Sequence, residues 1–405
     1  MLFCIFLGMS LALGETDSTP AVPPSDASTT EPTSSVPPPL PDRWLLMKLL
    51  QGTWEGSLLD SNRLQVSGWT DLSYTGSSDE HSNLPMGFNY RANEFLLQQN
   101  WLRIERTVVT TGTTDPTFGF RSDTILPGSD YRFTLARGIF DDQLTADRGQ
   151  PRLYGIDPIQ FYAEAYLPTV GNGLDIKLGR FFAQYGVEAN DAPSNALFSH
   201  AYTFIYDPFT HTGLLATLKL TDAWSVQAGL VLGCDVFIDP VDEPTFIGSI
   251  KWAPPSNRDS VQYSVIIGSG NFNQAQNFNN PEIFDLVYTH KFGAQLSYSL
   301  EGLFGFETNV PNIGDANWFG VVNYLTYNFA PRLSGTARLE FFDDAQGQRT
   351  GFRGLYSALT AGLSFRLLPG IIIRPELRCD DNDETRPFEN KHGLFTAATD
   401  VILRW

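Results

Sequence analysis

The chain has 405 residues and a formal net charge of −18, from 27 Lys and Arg against 45 Asp and Glu. This charge argues against nucleic acid and other phosphate-rich partners, which bind basic surfaces. The 3 cysteines do not predict a disulfide scaffold. No apolar run after the N-terminus reaches the ~18 residues that a membrane-spanning helix needs. The chain could therefore span a membrane only as a closed β-barrel, whose strands satisfy one another's backbone hydrogen bonds.

The first 60 residues differ in composition from the rest. Residues 1–14 (MLFCIFLGMSLALG) form a short apolar core that ends in a small-x-small cleavage pattern. They predict a signal peptide, although its start lacks basic residues; the alternative is a short membrane anchor. Residues 15–43 are rich in Pro, Ser and Thr and predict a disordered, extended tether. Residues 44–60 predict a short periplasmic helix that either tethers the barrel or partly plugs it.

From Leu64 onward, apolar and polar side chains alternate in short segments. In the last segment, 394–405, one side is apolar and ends in Trp405, whereas the other side carries Asp400 and Arg404. A strand of about 9–11 residues with one apolar face is the unit of a transmembrane barrel. The segments predicted as strands are 64–75, 94–108, 117–125, 159–167, 174–185, 214–220, 224–232, 244–252, 260–268, 283–290, 293–306, 317–329, 332–341, 356–367, 371–379 and 394–405.

The links between these segments alternate in length. Short turns, such as Ala330-Pro331 and Pro369-Gly370, alternate with long loops rich in Gly, Asn, Asp and Pro. Bacterial outer-membrane barrels have an even number of strands, short periplasmic turns and long extracellular loops. The predicted fold is therefore an all-β, transmembrane, antiparallel up-and-down β-barrel of about 16 strands over residues 64–405. Eighteen strands are the alternative, because residues 131–139 could add a strand.

Two sequence blocks carry a family resemblance. KLGRFFAQYGVE (177–188) is followed by HAYTFIYDPFTHTGLLATLKLTDAWSVQAGLVLG (200–233). The two blocks contain three features in a fixed order: a Gly-Arg strand, a Tyr-rich loop that ends in Pro-Phe-x-His-Thr-Gly, and a Leu-Thr-Asp hairpin. The stretch from Leu64 to Trp405 resembles the OmpL-like β-barrel porin family. The resemblance implies an outer-membrane channel; it identifies no solute and no catalytic residue.

If the apolar faces contact lipid, the opposite faces line a channel, because a barrel of about 16 strands encloses water. The charged residues predicted to line this pore are Asp175, Lys177, Glu301, Arg332, Arg338, Glu340, Arg366, Arg374, Glu376, Arg378, Asp400 and Arg404. Six of them are arginines from the last four strands, and two hypotheses explain them. They either form a basic ladder that selects anions, or they pair with Glu340, Glu376 and Asp400 and stiffen the wall.

The loop 186–210 is apolar and aromatic for an exposed segment. Among its aromatic residues are Phe198, Tyr202, Phe204 and Tyr206. Exposed aromatic side chains in this number require cover. We therefore predict that this loop either folds into the lumen and narrows it, as a constriction loop, or packs over the rim of the barrel.

Acidic residues cluster in the segments predicted as long loops. They are Asp235, Asp239, Asp242, Glu243, Asp343, Asp344, Asp380, Asp381, Asp383 and Glu384. A negative mouth would concentrate cations, and such carboxylates could also bind Ca²⁺. The spacing of residues 380–384 is not that of a Ca²⁺ loop, so solvated loop charge is the preferred interpretation.

No catalytic motif, cofactor site or metal-binding spacing is found, so the sequence predicts neither an enzyme nor a cofactor. The predicted function is that of an outer-membrane porin, a water-filled channel for passive diffusion of ions and small hydrophilic solutes. One alternative is a structural or adhesive outer-membrane barrel whose lumen is plugged; another is a secreted, glycan-binding β protein. The predicted partners are outer-membrane lipid, the outer-membrane assembly machinery, which would recognise Trp405, and small solutes. A homo-oligomer is left open.

Overall fold

A computed structural model describes residues 43–238, 244–270 and 280–405. The predicted signal peptide and residues 15–42 of the predicted tether lie outside the described residues, as do Asp239, Asp242 and Glu243. Among the described residues, no helix is both long enough and apolar enough to cross a membrane.

Sixteen antiparallel strands close into one barrel, in which each strand pairs with the next and β1 pairs with β16. They are β1 (Gln65–Ser77), β2 (Glu94–Arg106), β3 (Thr117–Gly128), β4 (Gly155–Leu167), β5 (Leu174–Phe182), β6 (Thr210–Lys219), β7 (Trp224–Val231), β8 (Thr245–Trp252), β9 (Asp259–Ile267), β10 (Glu282–Lys291), β11 (Leu296–Val310), β12 (Gly314–Ala330), β13 (Leu333–Asp344), β14 (Gly354–Leu368), β15 (Ile371–Asn382) and β16 (Gly393–Arg404). The all-β class and the 16-strand up-and-down topology are confirmed.

The predicted alternation is visible along single strands. On β15, Arg374 and Arg378 are buried inside the barrel, whereas the intervening Leu377 is 54% exposed on the outside. Period two is the geometry of an extended strand, so each strand presents one face to each side. The outer face is apolar, and the inner face carries the charged residues together with buried apolar side chains.

The segment 131–139, which could have added a strand, does not form one. Residues Tyr131–Thr134 form the short helix α3. The backbone N–H groups of Ser129 and Asp130 donate to the carbonyls of Leu97 and Gln98, so the chain remains against β2 beyond the end of β3. Tyr131 is completely buried there, and its packing stabilises a turn of helix instead of an extra strand.

Several strands extend further into the long loops than the sequence suggested. β13 continues to Asp344 and β15 to Asn382, three residues beyond each predicted end. The acidic residues at these strand ends predict loops, yet Asp344 and Asp380 are buried on the inner face. Conversely, β5 ends at Phe182, because the chain then turns into the barrel.

Two short helices precede the barrel: α1 (Leu45–Leu50) and α2 (Trp54–Ser61). The Trp44 ring lies 6.0 Å from the ring of Trp69 on the inner face of β1, and the Arg404 guanidinium lies 4.0 Å from the Trp44 ring centroid. Met47 is buried at the same place. This segment therefore contacts the edge of the barrel at the end with the short turns.

The barrel closes through the last residues of the chain. The backbones of Trp405 and Gly68 exchange hydrogen bonds of 2.9 and 3.1 Å, which continue the β1–β16 ladder. The Trp405 indole covers Gly68 so closely that a Cβ at that position would lie 2.4 Å from Trp405 Cζ2. Closure leaves no free sheet edge, which is the condition for a sheet in lipid.

Candidate functional site

The segment between β5 and β6, residues 183–209, enters the barrel; we call it the inner segment. It includes one turn of 3₁₀ helix (Ala192–Ser194) and one short helix, α4 (Tyr202–Ile205). The segment bonds to the inner faces of strands on both sides of the barrel. Gln262 on β9 donates to the Gln184 carbonyl at 2.6 Å, and Gln99 on β2 donates to the Asn190 carbonyl at 2.9 Å.

Three arginines on β13 and β15 donate to backbone carbonyls of the inner segment. Arg374 donates through Nη1 to the carbonyls of residues 192, 195 and 197, at 2.8 to 2.9 Å. Arg338 and Arg378 each donate at 2.6 Å, to the carbonyls of Ser199 and His200 respectively. A guanidinium has five donors in a rigid plane, so each arginine can bind the segment and a carboxylate together.

Carboxylates of the same wall accept backbone N–H groups of the inner segment. Glu376 accepts from Phe198 and Ser199 at 2.9 and 3.0 Å. Glu340 accepts from the Tyr202 N–H at 2.8 Å. Further around the barrel, Glu301 on β11 accepts from Val187 and Asp285 on β10 accepts from Gly186, at 2.8 and 3.1 Å. Charge-assisted bonds of this kind are about twice as strong as neutral ones.

The arginines are also paired with carboxylates. Arg374 pairs with Asp400, Arg338 with Glu340 at 3.1 Å, and Arg378 with Glu340 at 3.3 Å. The side chains of these three arginines are between 0% and 2% exposed. These three arginines are therefore paired with carboxylates and do not form a free basic ladder. Glu376 differs from the hypothesis, since it binds backbone N–H groups instead of an arginine.

Glu188 connects the inner segment to the wall. Its carboxylate lies 2.8 Å from Arg338 Nη1 and 2.6 Å from His200 Nδ1, and it accepts from the Tyr324 hydroxyl at 2.9 Å. Burial alone would raise the pKa of Glu188, but the charges of Arg338 and His200 outweigh burial and hold this pKa at about 2. The carboxylate is therefore ionised at neutral pH.

The four aromatic residues predicted for a constriction loop all lie in the inner segment. Phe198 is 5% exposed, and the Tyr202 hydroxyl donates to Asp380 at 2.9 Å. Phe204 stacks on the His200 ring with centroids 4.2 Å apart, and the Tyr206 hydroxyl donates to the Pro85 carbonyl. These aromatic side chains are thus buried inside the barrel and are not packed over its rim.

Wall and loop residues pack with these aromatic rings. Phe88, from the loop after β1, joins Tyr202 and Phe209 of the inner segment and Trp318 and Phe342 of the wall in one buried cluster. This cluster fills part of the interior toward the end with the long loops. The inner segment therefore has an apolar side as well as the polar side held by the arginines.

The remaining residues predicted to line the pore lie nearer the short turns. Lys177 lies 3.7 Å from Glu164, and Asp175 lies on the same side of β5. Arg332 lies in the turn between β12 and β13, and Arg366 is exposed near the end of β14. Arg404, the last residue of β16, contacts Trp44.

The structure also shows buried pairs that the sequence did not predict. Arg180 and Asp157 lie 2.6 Å apart and are fully buried, and Arg103 and Asp123 lie 2.8 Å apart. Gly179 precedes Arg180 with φ of 138°, a left-handed conformation that favours glycine. The alternation of β5 breaks at this glycine, and that break is the one signal in the sequence that could have located the pair.

Three acidic residues at the loop end, Asp235, Asp344 and Asp383, bind backbone N–H groups. Asp344 accepts N–H groups of residues 348, 349 and 350 at 2.7 to 3.0 Å. Asp235 accepts from Phe209 and Thr210, where the inner segment joins β6. No cluster of three or more His, Cys, Asp or Glu with metal-binding geometry exists among the residues that the structure describes.

A closed 16-stranded barrel with an apolar exterior, a charged interior and alternating short and long connections defines an outer-membrane channel protein. Residues 63–404 match the family described as "Putative beta-barrel porin-2, OmpL-like". The chain belongs to this family and is an outer-membrane porin. The family resemblance and the prediction of an outer-membrane porin are thereby confirmed.

Solved porin structures share the fold. An anion-selective porin from Comamonas acidovorans is 10% identical, with a TM-score of 0.56 over 84% of this chain and 99% of the other. OprB from Pseudomonas putida is 12% identical, with a TM-score of 0.56 over 87% and 96%. The channel DcaP of Acinetobacter baumannii is 10% identical, with a TM-score of 0.52 over 84% and 96%. No curated protein sequence is significantly similar to this chain.

Proposed function

We propose that this porin conducts ions and small hydrophilic solutes by passive diffusion across a bacterial outer membrane, through a lumen narrowed by the inner segment. The observation that carries the proposal is the attachment of residues 192–202 to β13 and β15 by Arg338, Arg374 and Arg378. This attachment holds residues 192–202 against β13 and β15. Residues 184–187 bind β9, β10 and β11, so the segment crosses the lumen and narrows it.

Nearer the short turns, inner side chains of β6 to β11 suit water and hydrophilic solutes. Gln227 on β7 donates to Thr217 on β6 at 3.1 Å and accepts from Ser249 on β8 at 2.8 Å. Thr289 on β10 and Ser299 on β11 share a hydrogen bond of 3.0 Å. Hydroxyl and amide groups can exchange these bonds with water or with a polar solute at little cost.

Single-channel recording in planar bilayers tests this function. The full chain should give discrete current steps, and a variant that lacks residues 189–200 should give larger steps, because the narrowing element is gone. Equal conductance in the two proteins would contradict the constriction role of residues 189–200, including that of Phe198. Heat-modifiable migration in gels would show that both proteins are folded barrels.

A plugged structural or adhesive barrel is the second candidate, and the buried aromatic cluster around Tyr202 and Phe342 favours it. In that case the full chain gives no current steps, and steps appear only when residues 189–200 are removed. The same recordings therefore separate the two functions.

We further propose that the outer surface contacts outer-membrane lipid and that the assembly machinery recognises Trp405. Exposed apolar side chains support the lipid contact, among them Phe118 (62%) and Leu230 (64%). The position of Trp405, on the strand that closes the barrel, supports its role in assembly. Size-exclusion chromatography in detergent would decide between a monomer and a homo-oligomer.

A further inference from the structure

Basic residues recur around the end of the barrel that carries the short turns. One lies near that end of β6, β8, β10, β14 and β16, and one lies in the β12–β13 turn. These six residues, called the turn-end ring below, are Lys219, Lys251, Lys291, Arg332, Arg366 and Arg404. Because short turns of such barrels face the periplasm, the ring surrounds the periplasmic mouth.

The strand register places these side chains on the inner side. Lys251 is four residues beyond Ile247, which is buried inside the barrel. Lys291 is six residues beyond Asp285, which is likewise buried inside. Since alternate residues of a strand share one face, both lysines point to the mouth of the lumen and not to lipid headgroups.

Little negative charge opposes the ring. Lys219 pairs with Asp222 at 2.8 Å, and this pair is exposed. Within the described ranges, neither Lys251 nor Lys291 forms an ion pair. The other acidic residues near this part of the mouth are Asp175, Glu164, which lies 3.7 Å from Lys177, and Asp259, which lies 2.6 Å from His290. Six cations thus surround the mouth against a smaller number of carboxylates.

A cavity gives this charge an accessible volume. About 520 Å³ of space lies at the short-turn end between β4 and β8, and its charged lining residues are Lys219, Lys251, Asp175 and Asp222. Hydroxyl groups of Thr217, Thr221 and Ser225 line the same cavity. The ammonium and hydroxyl donors can bind small anions in this space, and the carboxylates of Asp175 and Asp222 offset part of its positive charge.

The arginines deeper in the barrel cannot supply this attraction. Arg338, Arg374 and Arg378 are paired with carboxylates and covered by the inner segment. The turn-end ring, in contrast, is largely exposed: Lys251, Lys291, Arg332 and Arg366 all reach solvent. The accessible positive charge of the lumen is therefore concentrated at the periplasmic mouth.

We propose that the turn-end ring is the charge filter of this porin and makes it prefer small anions, such as chloride, inorganic phosphate and small carboxylates. This proposal rests on the channel function proposed above. Rings of Lys and Arg are a general device for anion selection in pores. The electrostatic potential of the ring extends about 10 Å at ~0.1 M salt, so it would favour entry of anions across the mouth.

Reversal potentials in a potassium chloride gradient near 0.1 M test the proposal. The full chain should be more permeable to chloride than to potassium. A triple variant, K219Q/K251Q/K291Q, should reduce the chloride-to-potassium ratio by about threefold or more, because focused charge changes ion access on this scale. A K391Q variant is the matched control: Lys391 pairs with Asp79 at the loop end, and its loss should leave the ratio unchanged.

The outcomes separate the two proposals. A full chain that prefers potassium, or a triple variant with an unchanged ratio, overturns the charge filter while the channel function stands. Absence of current in the full chain overturns the channel function and the filter with it. Because Lys251 and Lys291 are exposed, the triple variant should fold, and heat-modifiable migration would verify this.

Discussion

Glu188 of the inner segment and Arg338 of β13 form a buried ion pair of 2.8 Å across the interior of the barrel. Arg338 Nη1 also donates to the Ser199 carbonyl, eleven residues further along the same segment. One guanidinium therefore binds two points of the segment that are separated in sequence. A chain held at both points loses much of its freedom to move as a loop.

Replacement of Glu188 by glutamine should loosen the inner segment. The substitution keeps the shape of the side chain but removes the charge that pairs with Arg338, and loss of one partner of a buried pair costs about 3 kcal/mol. Hydrogen exchange of residues 186–202 should become faster, and current through single channels should become noisier. Unchanged exchange would mean that the other contacts hold the segment by themselves.

Replacement of Arg374 by methionine should destabilise the folded protein. Arg374 binds three carbonyls of the inner segment and Asp400, so the variant leaves Asp400 buried without its partner. The expected loss is about 3–5 kcal/mol, measured by urea unfolding in detergent micelles.

The matched control for this variant is Arg353→Gln. Arg353 pairs with Glu384 at 2.7 Å, but the two side chains are 63% and 47% exposed. An exposed pair contributes about 0–1 kcal/mol. A similar loss of stability in the two variants would contradict the structural role assigned to Arg374.

Removal of the Trp405 side chain should impair assembly more than conduction. The indole covers Gly68 on the outside of the barrel, away from the lumen. In a Trp405→Ala variant, the fraction of heat-modifiable, folded protein in the outer membrane should fall, whereas a Trp405→Phe variant should retain most of it. Folded molecules of the alanine variant should conduct like the natural protein, and normal assembly of that variant would exclude Trp405 as an assembly signal.

The pH dependence of stability should change in an Asp235→Asn variant. Burial raises the pKa of Asp235 to about 7, against the lowering effect of the N–H groups that it accepts. The folded-state pKa exceeds the unfolded value of 3.8, so Asp235 ionises in the unfolded chain before it does so in the folded protein. The free energy of unfolding therefore falls as pH rises from about 4 to about 7. Asparagine does not ionise, so the variant should gain stability relative to the natural protein across this window.

Unfolding midpoints of the two proteins, measured at several pH values in the same detergent, test this expectation. Their difference should be constant below pH 4 and above pH 7 and should change between these values. A difference that is the same at every pH would show that Asp235 does not titrate in this window.

The inner face of β13 and β15 shows where sequence reasoning reached its limit. Period-two alternation placed Arg338, Arg374 and Arg378 on the inner face, because the side chains of an extended strand must alternate. It could not say whether they were free or paired, since a partner such as Glu188 lies 150 residues away from Arg338 in sequence. Only the fold brings the two together.

The same limit explains the three lysines of the turn-end ring. Lys219, Lys251 and Lys291 lie in three different strands and share no local motif. Their common position follows from closure of the barrel, which brings the ends of distant strands to one rim.

By itself, the sequence determined the class of fold, a number of strands of 16 or 18, and the inner and outer faces of most strands. These properties depend on the local alternation of side chains and on the lengths of turns, and neighbouring residues specify both. The tertiary structure alone decided which charges are buried, which are accessible and where residues 183–209 lie. Those properties depend on contacts between residues far apart in the chain. Such contacts contribute to stability only once the barrel has closed.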